Sequence, residues 1–344
     1  MAFKGIKFSL VSTVFNEATR LEEWIEGIEN QTELPDEVII TDAGSTDGTL
    51  EALYKWQERS SLSISILVSD RCNVAEGRNL AITKAEYDWI LSTDFGCTYH
   101  QDWIKSLAEH FGNQKTDVVA GAFGANTYEQ ESSAANADLI LQNGYPVNMD
   151  QHFTASSRSI AYRKTVWEQL GGYEEWLTLA ADDTIFWRRL KQEGFRYQLV
   201  DSPYVQWGRH KTYRQFAKEA FRYGLGDGES GINFRNFWSH VIETSTRYLF
   251  FLNILLFPFV SPQWALLRVL LLLPLSFGLR SYRNAWRNYQ GLKKELDFNF
   301  KDFVNSLYLI EISRWFYLKG YLKGWLFASK EVKEGRKRLK GMYE

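Results

Sequence analysis

Along the first 125 residues, short apolar runs alternate with amphipathic ones. IKFSLVSTV (6–14), DEVIITD (36–42), LSISILVSD (62–70), YDWILSTD (87–94) and DVVAGAFGAN (117–126) are each bounded by polar or Gly-containing stretches. That is the pattern of buried strands. ATRLEEWIEGIENQ (18–31) sets Leu21, Trp24, Ile25 and Ile28 at helical spacing. TDGTLEALYKWQER (46–59), with a start marked by Thr46 or Asp47, VAEGRNLAITKA (74–85) and HQDWIKSLAEHF (100–111) predict three more helices. Strands separated by helices of this length predict an α/β fold with a mainly parallel sheet. In such sheets the site lies beyond the carboxyl ends of the strands. Thr13, Asn16, Glu17, Asp42 and Asp94 fall at those ends.

The pattern continues with a polar segment over 130–150, read as helix plus loop. SSRSIAYRKTVWEQLGGYEEWL (156–177) then reads as a strand, a helix and a Gly-Gly turn. AADDTIFWRRLKQEG (180–194) is a helix opening on two acids, and YRQFAKEAFRYGLGDG (213–228) a basic helix running into a Gly-rich turn. From Tyr248 to Leu279 the chain is almost wholly apolar. A spanning helix needs about 20 residues, so this run is too long for one and slightly short for two. Pro258 and Pro262 bracket a neutral turn, and Arg247, Arg280, Arg283 and Arg287 flank the run. A helical hairpin over about 247–279 is therefore expected, either spanning, re-entrant in one face of a membrane, or packed as a soluble pair. An amphipathic, aromatic helix over about 302–329 and a basic tail follow.

Charge divides the 344 residues the same way. Met1–Arg235 carries 23 basic and 34 acidic residues; Asn236–Glu344 carries 17 and 8. The expected domains are thus 1–235, with the α/β fold, and 236–344, a membrane-associated helical region at the cytoplasmic face. Its partner would be lipid; nucleic acid is not expected, because the aromatics alternate with apolar runs rather than standing on a polar basic surface. The two cysteines, Cys72 and Cys97, form no zinc pattern.

The chemistry-bearing positions follow. TDAGSTDGT (41–49) puts Asp42 at a strand end before a tight turn, where a carboxylate can accept from a base or ribose. STDFGC (92–97) delivers Asp94, with Gly96 where a second metal acid would stand. Asp182 and Asp183 open a helix beside one another. Like charge raises a carboxyl pKa while a helix N-terminus lowers it. Gly171, Gly172 and Tyr173 form a turn that lets backbone pass close to a substrate, and Trp176 is a candidate apolar wall beside it. Arg209, His210, Lys211, Arg214, Lys218 and Arg222 form a basic set; Arg209 suits a phosphate and His210 a metal.

Taken in order, VSTVFNEATRLEEWIEGIENQT, DEVIITDAGSTDGTLE, GRNLAITKA, WILSTDFGC, HQDWI and the two acceptor-half segments over 156–195 resemble a family 2 glycosyltransferase with the GT-A fold, across about residues 6–230. The resemblance implies inverting transfer of a sugar from a UDP- or GDP-type nucleotide sugar. Thr13, Glu17, Asp42, Arg78, Asp94 and Arg209 would face the donor, and Asp183, with Asp182 beside it, would be the base. Gly172, Tyr173 and Trp176 would face a glycan or polyprenyl-phosphate acceptor. Asp94 is the first acid of the family's Asp-x-Asp motif. With Gly96 in place of the second, magnesium or manganese binding is expected to be weak and diphosphate-dependent, with His210 as a further ligand. The QxxRW signature of processive synthases is missing, which implies transfer of one or a few sugars. The alternative is a GT-A-like scaffold that binds nucleotide without turnover.

Overall fold

The computed structural model describes residues 5–125, 132–144, 149–150, 153–259 and 262–343. Readings that fall on other positions, including part of the 130–150 segment and the hairpin apex at 260–261, lie outside the described residues. The strands are β1 (Phe8–Val14), β2 (Glu37–Asp42), β3 (Ile64–Val68), β4 (Trp89–Ser92), β5 (Cys97–Thr98), β6 (Val118–Ala125), β7 (Ile160–Arg163) and β8 (Tyr197–Trp207). The helices are α1 (Leu21–Glu29), α2 (Thr49–Arg59), α3 (Val74–Lys84), α4 (Trp103–Ala108), α5 (Ser133–Gln142), α6 (Lys164–Leu170), α7 (Asp182–Gln192), α8 (Tyr213–Ser230), α9 (Phe234–Leu256), α10 (Ala265–Leu275), α11 (Arg280–Leu292), α12 (Phe300–Leu326) and α13 (Lys330–Tyr343).

The chain forms two compact units, Met1–Tyr128 with Pro146–Arg209, and Glu129–Tyr145 with His210–Glu344. This differs from the linear division at 235/236: the basic helix α8 belongs with the C-terminal helices.

The first unit is built on one sheet of order β3-β2-β1-β4-β7-β6-β8-β5. β3, β2, β1 and β4 are parallel, β7 runs antiparallel to β4 and β6, and β8 is parallel to β6. The predicted mainly parallel α/β sheet is therefore present, with β7 reversed at its centre. α1 buries the expected stripe of Leu21, Trp24, Ile25 and Ile28; burying each such side chain contributes about 1.5–3 kcal/mol before entropy is counted. Trp24 stacks on Phe95 at 4.2 Å and meets Trp56 edge-on. This aromatic contact fixes the chain just beyond Asp94. β8 has no apolar run to announce it. Only Val200 and Val205 of its eleven residues are buried, yet it places Trp207, Gly208 and Arg209 beside β5.

In the second unit the GLGDG segment is helix, not turn: α8 runs unbroken to Ser230. Its glycines serve packing. A Cβ on Gly224 or Gly228 would overlap the carbonyl oxygens of Tyr317 and Tyr321 on α12, and one on Gly320 or Gly324 would overlap those of Phe221 and Leu225 on α8. Close backbone approach here outweighs the helical cost of glycine, about 1 kcal/mol each.

The apolar run behaves differently from the expected spanning hairpin. Among the described residues no helix is long and apolar enough to cross a membrane. α9 carries His240, Glu243 and Arg247 in its middle. α10 has eleven residues, about 16 Å of helix against a hydrocarbon core of about 30 Å. Short 3-10 turns at Phe257–Phe259 and Pro262–Trp264 separate the two. Nor does Arg247 flank the run at a surface. It is fully buried, pairs with Glu311 at 2.8 Å and Glu243 at 3.5 Å, and donates to the Gly278 carbonyl at 3.0 Å. Arg314 completes this cluster on Glu243 at 3.5 Å.

Candidate active site

The ends of β1, β2 and β4, helix α3, the segment before β7 and the start of α7 supply the site, all within the first unit. The loop after β1 is pinned to the loop after β2. Asn16, with φ of 54°, donates its backbone N–H to Ser45 Oγ (2.9 Å) and accepts from Thr46 N–H at its side chain (2.8 Å). Glu17 and Ala18 N–H groups donate to Thr49 and Asp47. Asp42 is wholly buried at the end of β2. Its Oδ1 accepts from the Gly44 and Ser45 N–H groups at 3.0 and 2.9 Å, while Oδ2 is buried with no partner. An unmatched buried carboxylate oxygen is costly, and a donor on a base or ribose would satisfy it. Thr13 Oγ1 is likewise buried without a partner. Its side chain fills the space a Cβ on Gly77 would need, at 2.5–2.8 Å. Burial raises the pKa of Glu17, against the opposing pull of Arg20.

Arg78 is the hinge of the arrangement. Only 2% exposed, it donates Nη1 to Asp182 at 2.6 Å and Nη2 to Asp94 at 2.9 Å, and lies 4.8 Å over the Tyr173 ring. Burial opposes its charge, but the two carboxylates win and hold it protonated. Rather than pointing a free fork at a donor, it ties the Asp94 and Asp182 ends together. Asp94 also faces Arg158, whose Nε lies 3.9 Å away.

Asp183 accepts from Ser156 Oγ at 3.1 Å and from the Thr184 N–H at 2.7 Å. Its pKa is raised, first by burial and then by Asp182, against Arg158 and Arg78, which pull it down. Burial and the Asp182 charge therefore outweigh the two arginines. The residue before the pair, Ala181, has φ of 81°, a left-handed conformation that costs a non-glycine residue about 1–3 kcal/mol. The fold spends that strain where the two acids enter α7.

Three expected acceptor contacts are buried instead. Gly172 is buried, with φ of 80°, and a Cβ there would meet Asn79 Oδ1 at 3.0 Å. Tyr173, 2% exposed, stacks on Phe186 and shares its hydroxyl with Tyr162 and Ser157. Trp176 is 7% exposed and donates to Glu174. These residues form the support beneath the site. Asn79, missed in the sequence, organises it: its Nδ2 donates to the Tyr173 carbonyl and Glu175, and its Oδ1 accepts from Tyr173 N–H and Trp167 Nε1. Its one signal in the sequence was its place in GRNLAITKA, directly after Arg78. Arg189 holds the same turn from α7, pairing with Glu174 at 2.8 Å and donating to the Leu170 carbonyl.

The donor set does not make a metal centre by itself. Among the described residues no group of three or more His, Cys, Asp or Glu side chains is placed to hold an ion. Asp94 is already compensated by two arginines, and burial pushes the Cys97 thiol up to about 12, so it offers no thiolate. His210 lies in the second unit, where Nε2 is 3.7 Å from Glu219 and the ring meets Phe216 edge-on. Arg209 lies 5.5 Å over the Trp207 ring.

The family model of glycosyl transferase family 2 matches residues 9–171. Two bacterial polysaccharide proteins are similar at the sequence level. The O-antigen chain rhamnosyltransferase RfbN of Salmonella typhimurium is 25% identical over 64% of this chain and 72% of its own. The succinoglycan biosynthesis protein ExoA of Rhizobium meliloti is 25% identical over 66% and 70%. Among solved structures, the mannosyltransferase PcManGT of Pyrobaculum calidifontis, in complex with GDP-Man and Mn2+, aligns with a TM-score of 0.56 at 13% identity, covering 94% of this chain and 88% of that one. The fold is that of GT-A glycosyltransferases, and residues 9–171 match a family 2 glycosyltransferase domain.

Proposed function

We propose that the chain transfers one sugar from a UDP- or GDP-type nucleotide sugar to a lipid-linked glycan or polyprenyl phosphate, with inversion, at the cytoplasmic face of a membrane. The observation that carries the chemistry is the continuous line Asp94–Arg78–Asp182 with Asp183 beside it. It sets a half-buried carboxyl of raised pKa next to the strand end that takes the donor. Asp42, through its unpartnered oxygen, and Thr13 hold the nucleoside; Glu17 borders it. The acceptor hydroxyl attacks the anomeric carbon from the face opposite the diphosphate. Asp183 takes its proton as the new C–O bond forms. The bond from the anomeric carbon to phosphate breaks, and its electron pair leaves on the diphosphate. Asp182, held by Arg78, keeps the charge beside Asp183 that makes it a stronger base than an isolated buried acid would be as a proton acceptor near neutral pH.

A magnesium or manganese ion would arrive with the diphosphate and find Asp94 as its protein carboxylate. It would supply neutralisation of the leaving phosphate. Membrane attachment rests on exposure. Leu255, Phe259 and Leu266 around the α9–α10 turn, and Leu273 further along α10, are 68–84% exposed, with Trp264 in the turn 55% exposed. Arg280, Arg283 and Arg287 are exposed on α11 behind it. Apolar tip and basic collar fit insertion into one leaflet of an anionic membrane, not a crossing. Similarity to an O-antigen chain rhamnosyltransferase and to a succinoglycan biosynthesis protein favours an acceptor of cell-surface polysaccharide type.

The test is to supply purified protein in anionic vesicles with a panel of nucleotide sugars and polyprenyl-phosphate-linked acceptors. Transfer of a single residue, lost in Asp183→Asn, is expected. No transfer from any UDP- or GDP-sugar, or products many sugars long, overturns the reading.

A further inference from the structure

We infer that Arg20 forms an oxyanion site for the leaving diphosphate, in the place where Gly96 leaves out a second acidic side chain. This deepens the proposed function and rests on it for the identity of the ligand. Two glycines build the seat. Gly96, with φ of +76°, and Gly208 are joined by the Gly208 N–H donating to the Gly96 carbonyl at 3.2 Å, next to the β5–β8 pairing of Cys97 with Trp207. The Arg20 guanidinium lies against this junction. A Cβ on Gly96 would lie 3.4 Å from its Nη1. One on Gly208 would overlap Nη1 and stand 2.7 Å from Nη2 and 2.9 Å from Cζ. Any larger residue at 208 displaces the cation.

Its donors are not spent on the protein. Nη2 is buried with no hydrogen-bond partner, and the nearest carboxylate, Glu23, is 3.8 Å from Nε. A guanidinium fork matches a phosphate bidentately, and an unmatched buried donor favours a ligand that completes it. Two further arginines stand nearby: Arg158, which also faces Asp94, and Arg209 lie 5.0 and 5.5 Å over the Trp207 ring, immediately before Gly208. Arg20 also ends the loop pinned to the Asp42 turn, so the nucleoside end and this seat are held by one segment. When the bond from the anomeric carbon to oxygen breaks, the electron pair moves onto the diphosphate, and Arg20 donates N–H groups to its non-bridging oxygens. Fixed positive charge there shares a task that a doubly anchored ion would otherwise carry.

The experiment measures binding of inorganic pyrophosphate by calorimetry in EDTA, together with uridine and guanosine. Wild type is expected to bind pyrophosphate without metal. Arg20→Gln should weaken this at least about tenfold while leaving nucleoside affinity unchanged, and Arg20→Lys should recover part of the loss. Gly96→Asp provides a second, independent variant. Its carboxylate would pair with Arg20, so pyrophosphate binding should fall in EDTA and return with manganese. Equal pyrophosphate affinity in wild type and Arg20→Gln, or no metal-free binding by wild type, overturns the site. Arg20-dependent pyrophosphate binding with no uptake of any nucleotide sugar would instead overturn the donor assignment and leave the anion site standing.

Discussion

Replacing Arg78 by Met keeps most of the side chain's bulk and removes its charge. Asp182 at 2.6 Å, 14% exposed, then loses its arginine, and Asp94 at 2.9 Å, 32% exposed, keeps only Arg158 at 3.9 Å. Removing one side of a buried ion pair costs about 3–5 kcal/mol; the exposure of Asp94, where water recovers part of the loss, argues for about 3. At about 2–4 °C per kcal/mol for a unit of this size, the melting temperature should fall by roughly 6–12 °C. The same change acts on chemistry. Arg78 is one of the charges holding Asp183 down against burial and Asp182. Without it the Asp183 pKa rises further. A base works only when unprotonated, so activity is lost as pH falls through that pKa, and the acid limb of the rate profile should move to higher pH. Thermal unfolding and a pH profile of donor turnover read the two effects. A double-mutant cycle with Asp182→Asn should show coupling above about 1 kcal/mol. A melting temperature within about 2 °C of wild type, an unmoved acid limb and additive mutations would refute the bridge.

Asp183→Asn should lower transfer by about 10²–10⁴-fold yet raise stability at neutral pH. The folded pKa of Asp183 is raised, so the folded state loses stability as pH rises from the unfolded value through the folded one. The variant escapes that loss. Its advantage in melting temperature should be widest above the folded pKa and vanish in acid; an equal gap at both ends would contradict the pKa direction. Gly228→Ala places a Cβ against the Tyr321 carbonyl and should cost about 1–3 kcal/mol in urea unfolding; an unchanged midpoint would mean that α8 and α12 do not touch there. Phe259→Glu, at the most exposed large apolar position of the tip, should weaken binding to anionic vesicles at least about tenfold. Unaltered binding would remove the tip from the membrane contact.

What the sequence determined by itself is local. Short apolar runs and 3.6-residue spacing depend on near neighbours, so the strands β1 to β4, the stripe of α1 and the strand-end positions of Thr13, Asp42 and Asp94 were all legible. So was the adjacency of Asp182 and Asp183 at a helix start. The tertiary structure decided which distant groups meet. β4 lies between β1 and β7, and β5 beside β8, an order no short-range pattern encodes. That order sets Arg78 between acids at 94 and 182, buries Tyr173 and Trp176 under the site, and brings Gly208 against Gly96 to seat Arg20. The same reason explains the glycines of α8. Read locally, GLGDG is a turn; read against the backbone of α12, it is the face that lets two helices close.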